Sequence, residues 1–148
     1  MPHYTSTLEL ACPAADLFAF LARPKNLAQL APPDLHLELV TGPDIMELGS
    51  RLAWKARRWG IAQNFTQEVT DFDQERRVIV EQKQGPFARW IHSLRFKVID
   101  AGTQLHEQID FDPPSGLLGR LISADFIRQD LDKLYAYREE KLRALFAV

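Results

Sequence analysis

The chain has 148 residues, of which 46% are hydrophobic and 26% are charged, and its formal net charge is −2. This length suits a single domain over residues 1–148 with a full apolar core. The near balance of charge argues against nucleic acid as a partner, because a nucleic-acid-binding surface needs clustered basic residues.

The sequence shows no secretory or membrane-spanning segment. The N-terminus lacks a charged lead and an apolar h-region, and no apolar run approaches the roughly 18 residues that span a bilayer. The single cysteine, Cys12, cannot form a disulfide within the chain. We therefore expect a cytoplasmic protein without a transmembrane segment.

The first half of the chain predicts strands with two short helices near the start. Residues 3–11 alternate with a period of two, as a half-buried strand does. Pro13 and Pro24 can each start a short helix without losing a backbone hydrogen bond, and Pro32 and Pro33 end the second helix. The alternation then predicts strands, separated by turn residues, at 35–40, 50–59, 61–72 and 77–84.

The last sixty residues predict a hairpin followed by one long helix. The hairpin covers residues 88–113 and turns at 100–103. A proline-free amphipathic segment follows over residues 117–146, roughly 45 Å long if it is helical, and it must lie across the sheet because no earlier helix can pair with it. Its apolar stripe is expected to face the core; the stripe comprises Leu117, Leu121, Ala124, Ile127, Leu131, Leu134, Leu142 and Leu145.

A turn at Ala101 and Gly102 would pair hairpin residues whose numbers sum to 203. This register pairs Val98 with Leu105, Phe96 with Glu107, Leu94 with Ile109 and His92 with Phe111, and it places all of them with Trp90 on one inner face. His92 and Glu107 then stand about five residues apart along the strands. Direct contact between these two side chains is therefore not expected.

Candidate ligand contacts come from this inner face, from the middle strands and from the long helix. Several of them are polar, and burying a polar group without a partner costs about 1 to 3 kcal/mol. That cost favours a partly polar cavity, with ordinary positions at the rim of the sheet as the alternative. The candidates are Trp54, Arg58, Gln63, Phe65, Gln67, Val80, Gln82, Trp90, His92, Leu94, Phe96, Glu107, Ile109, Phe111, Ile127 and Leu131.

His92 and Glu107 are the best candidates for acid–base catalysis, because both face inward, where desolvation changes how readily a group exchanges protons. Orientation of a ligand by hydrogen bonds and a purely structural role are the alternatives. The histidines lack partners at the spacing of a zinc site, so no metal and no cofactor is expected. Basic doublets or near-doublets occur at 57–58, 76–77 and 138–141, and most of them are interpreted as part of a solvated face. Tyr135 is interpreted as a packing residue with a wet tip, with a site residue as the alternative.

Short motifs in the second half occur in a recognisable order: GPFARWIH at 85–92, GT at 102–103, DFDP at 110–113, GLLG at 116–119 and YR at 137–138. Together with the order of elements, they resemble START and Bet v 1 type proteins of the SRPBCC superfamily, in particular bacterial single-domain cyclase/dehydrase or ligand-binding members. The resemblance implies an α+β helix-grip fold. In it a seven-stranded antiparallel sheet curves around a long C-terminal helix, two short helices lie between strands 1 and 2, and an apolar tunnel separates sheet and helix.

Three functions follow as hypotheses, since members of that superfamily bind lipids, sterols, quinones, polyketides or plant hormones and some are aromatase/cyclases. The first is binding or carriage of a small hydrophobic molecule, such as a lipid, quinone or polyketide, between the sheet and the C-terminal helix. The second is a cyclase/dehydrase-type enzyme that uses His92 and Glu107. The third is a protein-interaction module acting through the sheet edge or the C-terminal helix, and a homodimer is also compatible with the sequence.

Overall fold

The computed structural model describes residues 2–146, over which the chain forms seven β-strands and four α-helices. The strands are β1 (His3–Leu10), β2 (Glu38–Thr41), β3 (Arg51–Arg58), β4 (Ile61–Asp73), β5 (Arg77–Gln84), β6 (Arg89–Ile99) and β7 (Gly102–Asp112). The helices are α1 (Ala14–Leu21), α2 (Pro24–Gln29), α3 (Gly116–Leu121) and α4 (Ala124–Phe146), and a 3-10 turn covers Pro33–Leu35.

The strands form one antiparallel sheet in the order β1-β7-β6-β5-β4-β3-β2. Strands β2 to β7 follow one another as a meander, while α1 and α2 carry the chain between the two edge strands, β1 and β2. The sheet curves around the C-terminal helix, so the predicted helix-grip fold is confirmed. None of the helices described over residues 2–146 is long and apolar enough to cross a membrane.

The concave face is covered by α1 on one side and by α4 on the other. Phe18 of α1 packs edge-on against Phe72 and Phe96, with ring centroids 5.4 and 5.2 Å away. On the other side, Ile127 and Leu131 of α4 are each 1% exposed. Burial of each such side chain is worth about 1.5 to 3 kcal/mol, so both helices are held firmly against the sheet.

The C-terminal helix is broken, whereas the sequence predicts one helix over residues 117–146. Ile122 is extended (φ −111°, ψ 94°), and the Ser123 hydroxyl accepts a hydrogen bond from the Phe126 N–H at 3.1 Å, as a helix-capping serine does. The break changes the direction in which α3 presents its side chains. Leu117 and Leu121 are therefore 78% and 76% exposed rather than part of the core stripe, and Leu145 near the other end is 54% exposed.

The hairpin register also differs from the prediction. Partner numbers sum to 201, so His92 lies opposite Ile109 and Leu94 lies opposite Glu107. The turn is a tight one at residues 100–101, and Gly102 (φ +141°) is already part of β7. The predicted register is wrong by two residues, so each side chain stays on the predicted face of the sheet. Its neighbours on the opposite strand change, and His92 and Glu107 become diagonal neighbours.

Two further predictions fail at strand ends. Val98 is 76% exposed because the tip of the β6–β7 hairpin extends beyond the core. The strand predicted at 35–40 begins only at Glu38, since the prolines before it favour the 3-10 turn and His36 then takes a left-handed conformation (φ 49°). This turn brings Leu35 and Leu37 over the concave face of the sheet.

Candidate functional site

An internal cavity of about 130 Å³ lies between the concave face of β3 to β6 and α4. Alternation along the strands puts every second side chain into it, and Leu134 of α4 with Leu35 and Leu37 covers it. Its wall is apolar apart from a few amide and guanidinium groups. Of the predicted contacts, the cavity is lined by Arg58, Gln63, Phe65, Gln67, Gln82 and Trp90.

Two further hollows continue from this cavity, one towards α2 and one towards α1. One of about 140 Å³ shares Leu35, Leu37, Phe65, Gln67 and Leu134 with it, and the other measures about 40 Å³. Gln67 lines all three and accepts a hydrogen bond from the Trp54 indole at 2.9 Å. The two hollows are lined by further predicted contacts: Trp54, Val80, His92, Leu94 and Phe96.

The remaining predicted contacts line none of these cavities. Ile109, Phe111, Ile127 and Leu131 are at most 3% exposed and form one apolar cluster, in which α4 packs directly against β7. Glu107 is also buried, in a polar cluster on the same side. The space under the sheet is thus hollow beneath β3 to β6 and solid beneath β7, which strand alternation alone does not distinguish.

An open cleft of about 520 Å³ adjoins the inner cavity at the end of β3. Leu35, Arg58 and Leu134 line both spaces. Arg58 Nε donates to Asp130 Oδ2 of α4 at 3.0 Å. Arg58 thereby links the sheet to the helix at the junction between the cleft and the inner cavity. We call this junction, formed by Leu35, Arg58 and Leu134, the mouth.

Aromatic side chains enclose the Arg58 guanidinium. Its Cζ lies 5.5, 5.7 and 5.8 Å from the ring centroids of Trp59, Phe87 and Trp90, distances typical of cation–π contacts. The side chain of Arg58 is 13% exposed and that of Asp130 is 34% exposed. Burial lowers the pKa of Arg58, and the Asp130 carboxylate opposes that effect.

A buried polar cluster joins β6 and β7 to α4. Arg138 donates two hydrogen bonds to Glu107, whose Oε1 also lies 2.9 Å from His92 Nε2. The Tyr135 hydroxyl lies 3.2 Å from the same His92 nitrogen and 3.5 Å from Glu107 Oε1. The prediction that His92 and Glu107 do not touch is therefore wrong, because the corrected register brings them together.

The charge state of this cluster follows from its contacts. Burial alone would raise the pKa of Glu107, but the Arg138 guanidinium and the bond from His92 outweigh burial and lower the pKa to about 2. Glu107 is therefore a carboxylate near neutral pH and accepts from His92 Nε2. This contact requires a hydrogen on His92 Nε2. The other ring nitrogen, Nδ1, has no hydrogen-bond partner among residues 2–146.

Within this polar cluster, Arg138 and Tyr135 are the residues whose burial the sequence did not predict. Arg138 is 6% and Tyr135 is 7% exposed, although a solvated face and a wet tip were expected. Both continue the helical stripe of Ile127, Leu131 and Leu142, so the spacing itself places them inward. A carboxylate on the inner face, Glu107, also requires a cationic partner when it is buried.

Within the described range no group of three or more His, Cys, Asp or Glu side chains is arranged to hold a metal ion. The polar groups of the site are of three kinds. The mouth offers a guanidinium, the inner cavity offers amides, and His92 offers a ring nitrogen.

Comparisons with known proteins identify the family and the fold of the chain. A family model described as "Polyketide cyclase / dehydrase and lipid transport" matches residues 1–147. Curated proteins give no match to the chain.

Solved structures resemble the chain over nearly its whole length. The Zhui aromatase/cyclase from Streptomyces sp. R1128 is 22% identical, with a TM-score of 0.69, and the match covers 98% of this chain and 96% of that one. A START superfamily protein from Mycobacterium smegmatis is 14% identical, with a TM-score of 0.73 and shares of 98% and 99%. TTHA0849 from Thermus thermophilus is 20% identical, with a TM-score of 0.69 and shares of 97% and 99%. At sequence identities this low, the similarity establishes a shared fold only.

Proposed function

Because the chain belongs to the polyketide cyclase/dehydrase and lipid transport family, we propose that it binds and carries a small, largely hydrophobic molecule between the sheet and α4. The family match and the START-type structural neighbours also confirm the resemblance to the SRPBCC superfamily. A lipid, quinone or polyketide-like molecule is the class of ligand that the apolar wall favours.

The observation that carries this proposal is the internal cavity and its adjoining mouth. An apolar wall with a few placed polar groups is the usual composition of a small-molecule site. The cavity of about 130 Å³ and the neighbouring, partly open hollow of about 140 Å³ are each smaller than the roughly 300 Å³ of a drug-sized pocket. The ligand is therefore either small or long enough to extend from one hollow into the next past the side chains that they share.

Filling the inner cavity tests the proposal. Ala56 on β3 lines the cavity, whereas Ala53 on the same strand projects from the opposite face. Native mass spectrometry of purified protein should find an apolar small molecule with wild type and with Ala53→Leu, and much less of it with Ala56→Leu. Equal ligand content in both variants, or none in any sample, would contradict binding in this cavity.

Catalysis is a second candidate, favoured by the contact between His92 and Glu107. A carboxylate that fixes one ring nitrogen leaves the other free for proton transfer, as in many acid–base sites. Here Glu107 is held ionised by Arg138, so His92 alone would exchange the proton, and Glu107 would act as a positioning residue. The side chain of His92 also lines the two hollows next to the inner cavity.

Incubation with a small poly-β-ketone mimic, followed by mass spectrometry for loss of water, tests this second candidate. We expect product with wild type and with His106→Ala, whose ring instead bonds Thr7 at 2.8 Å on the other side of the sheet. His92→Ala should abolish product formation. Equal rates in all three proteins would exclude a role for His92.

A further inference from the structure

The hydrogen-bonding capacity of Arg58 at the mouth is only partly used. Its Nε donates to Asp130, but Nη1 and Nη2 have no hydrogen-bond partner among residues 2–146 and are not fully buried. A guanidinium presents these two nitrogens as a planar fork that fits the two oxygens of a carboxylate. The unused side of Arg58 is thus the side that suits such a ligand group.

Other unused donors flank Arg58. In the described part of the chain, the buried side-chain nitrogens and oxygens without a hydrogen-bond partner are Trp59 Nε1 and Gln63 Nε2. Trp59 lines the cleft and Gln63 lines the inner cavity, so one lies on each side of Arg58. A half-turn would let the Gln63 amide present its oxygen, but the indole and the guanidinium can only donate. The unsatisfied polar groups at the mouth can therefore all act as donors, although Asp34 and Asp130 place carboxylates in the cleft as well.

The charge of the residues around the mouth also favours an anionic ligand group. Among the described residues that line the cleft, Arg57, Arg58 and Lys133 are cationic, and Asp34 and Asp130 are acidic. This gives a local charge of +1 on a protein whose net charge is −2. The aromatic rings around Arg58 also exclude water, which strengthens an electrostatic contact with a bound anion.

The geometry points to a ligand that carries a carboxylate on an apolar body. The carboxylate binds the two Nη nitrogens of Arg58 at the mouth, and the apolar body enters the inner cavity. This inference rests on the proposed function, which leaves the charge of the ligand open.

Two probes of nearly the same shape separate charge from hydrophobicity: 2-naphthoate, which is ionised at neutral pH, and the neutral 2-naphthalenemethanol. Calorimetric titration of wild type should show naphthoate binding about tenfold or more tightly than the alcohol, as expected for charge-assisted hydrogen bonds. Raising the salt concentration should weaken naphthoate binding only.

Variants assign the effect to Arg58. Arg58→Gln should weaken naphthoate binding about tenfold more than it changes alcohol binding. Arg51→Gln, the matched control on the same strand, should alter neither, because the side chain of Arg51 is 74% exposed and pairs with Glu68. Asp130→Asn should strengthen naphthoate binding by removing a like charge, so the proposal stays testable even if Arg58→Gln does not fold.

The outcomes are distinguishable. If both probes bind wild type equally and Asp130→Asn changes neither, the carboxylate inference fails while the proposed function stands. If neither probe binds wild type, the proposed function fails together with the inference.

Discussion

Arg138 holds Glu107 with two hydrogen bonds, from Nε to Oε2 at 3.1 Å and from Nη2 to Oε1 at 2.8 Å. Both side chains are buried, at 8% and 4% exposure. The pair ties α4 to β7 directly beside the hollow part of the molecule. A desolvated ion pair adds little net stability, but removal of one partner leaves an uncompensated charge in the interior.

Loss of Arg138 should therefore be far more costly than loss of both partners. We expect Arg138→Met to lower the free energy of unfolding by about 3 to 5 kcal/mol, and the double variant Glu107→Leu/Arg138→Met to regain most of that loss. Urea denaturation of the three proteins measures this. Arg143→Met is the control, because Arg143 is half exposed and should cost only about 0.5 kcal/mol. An Arg138→Met protein as stable as this control would contradict a buried, charged Glu107.

Glu107 should also make stability depend on pH in the acid range. Its pKa lies at about 2 in the folded protein against an ordinary value of 4.5, so the unfolded chain binds the proton more tightly. The stabilisation is complete above the unfolded pKa and is lost as the pH falls from 4.5 through about 2. It is on the order of 3 kcal/mol. Urea denaturation across this range should show a steeper loss for wild type than for Glu107→Gln, and parallel curves would refute the assignment.

The break between α3 and α4 predicts different costs for two similar leucines. Leu131 is 1% exposed and Leu121 is 76% exposed. Leu131→Ala should cost about 2 to 5 kcal/mol, whereas Leu121→Ala should change the free energy of unfolding by about 0.5 kcal/mol or less. Thermal or urea unfolding compares the two directly. Similar large losses would instead favour one unbroken helix with both leucines in the core.

Gly102 should tolerate no side chain. It has a φ of +141°, and a Cβ there would clash with the Leu10 carbonyl oxygen and approach Cys12 N to 2.8 Å. Gly49 also has a positive φ, +85°, but a Cβ there would meet nothing within 4 Å. We expect Gly102→Ala to cost roughly 2 to 5 kcal/mol and Gly49→Ala about 1 to 2 kcal/mol. Equal unfolding free energies in the two variants would show that β1 and the β6–β7 turn do not approach so closely.

The sequence predicts the order and the faces of the strands because alternation reports directly on which side of a sheet is buried. It does not determine positions along the strands. The residues around Gly102 are compatible with two turn lengths, and the choice between them moves His92 and Glu107 from separation into contact. A two-residue error leaves the pattern of faces intact, so hydrophobicity could not reveal it.

Other features of the site could not be predicted because the residue types involved are compatible with more than one environment. Arg138 lies at a core position of the helical stripe, but its charge suggested a solvated face, and only the carboxylate of Glu107 opposite reverses that expectation. Likewise, Ser123 is acceptable inside a helix and equally suited to cap one. Whether space remains beneath a strand depends on the distance between sheet and helix. The sequence therefore could not show that Phe65 lines the cavity while Phe111 packs in the core.

The pairing of β1 with β7 also bears on how the chain is assembled. Thr7 and His106, which face each other across these strands, are 99 positions apart. Strands β2 to β7 can pair in the order of synthesis, but β1 must wait until nearly the whole chain has left the ribosome, and closing so large a loop is slow. A chain shortened before Ala11 would leave the β7 edge bare, and a bare edge invites pairing with another copy. The amino-terminal segment thus covers the β7 edge, and β1 in turn forms the edge of the sheet.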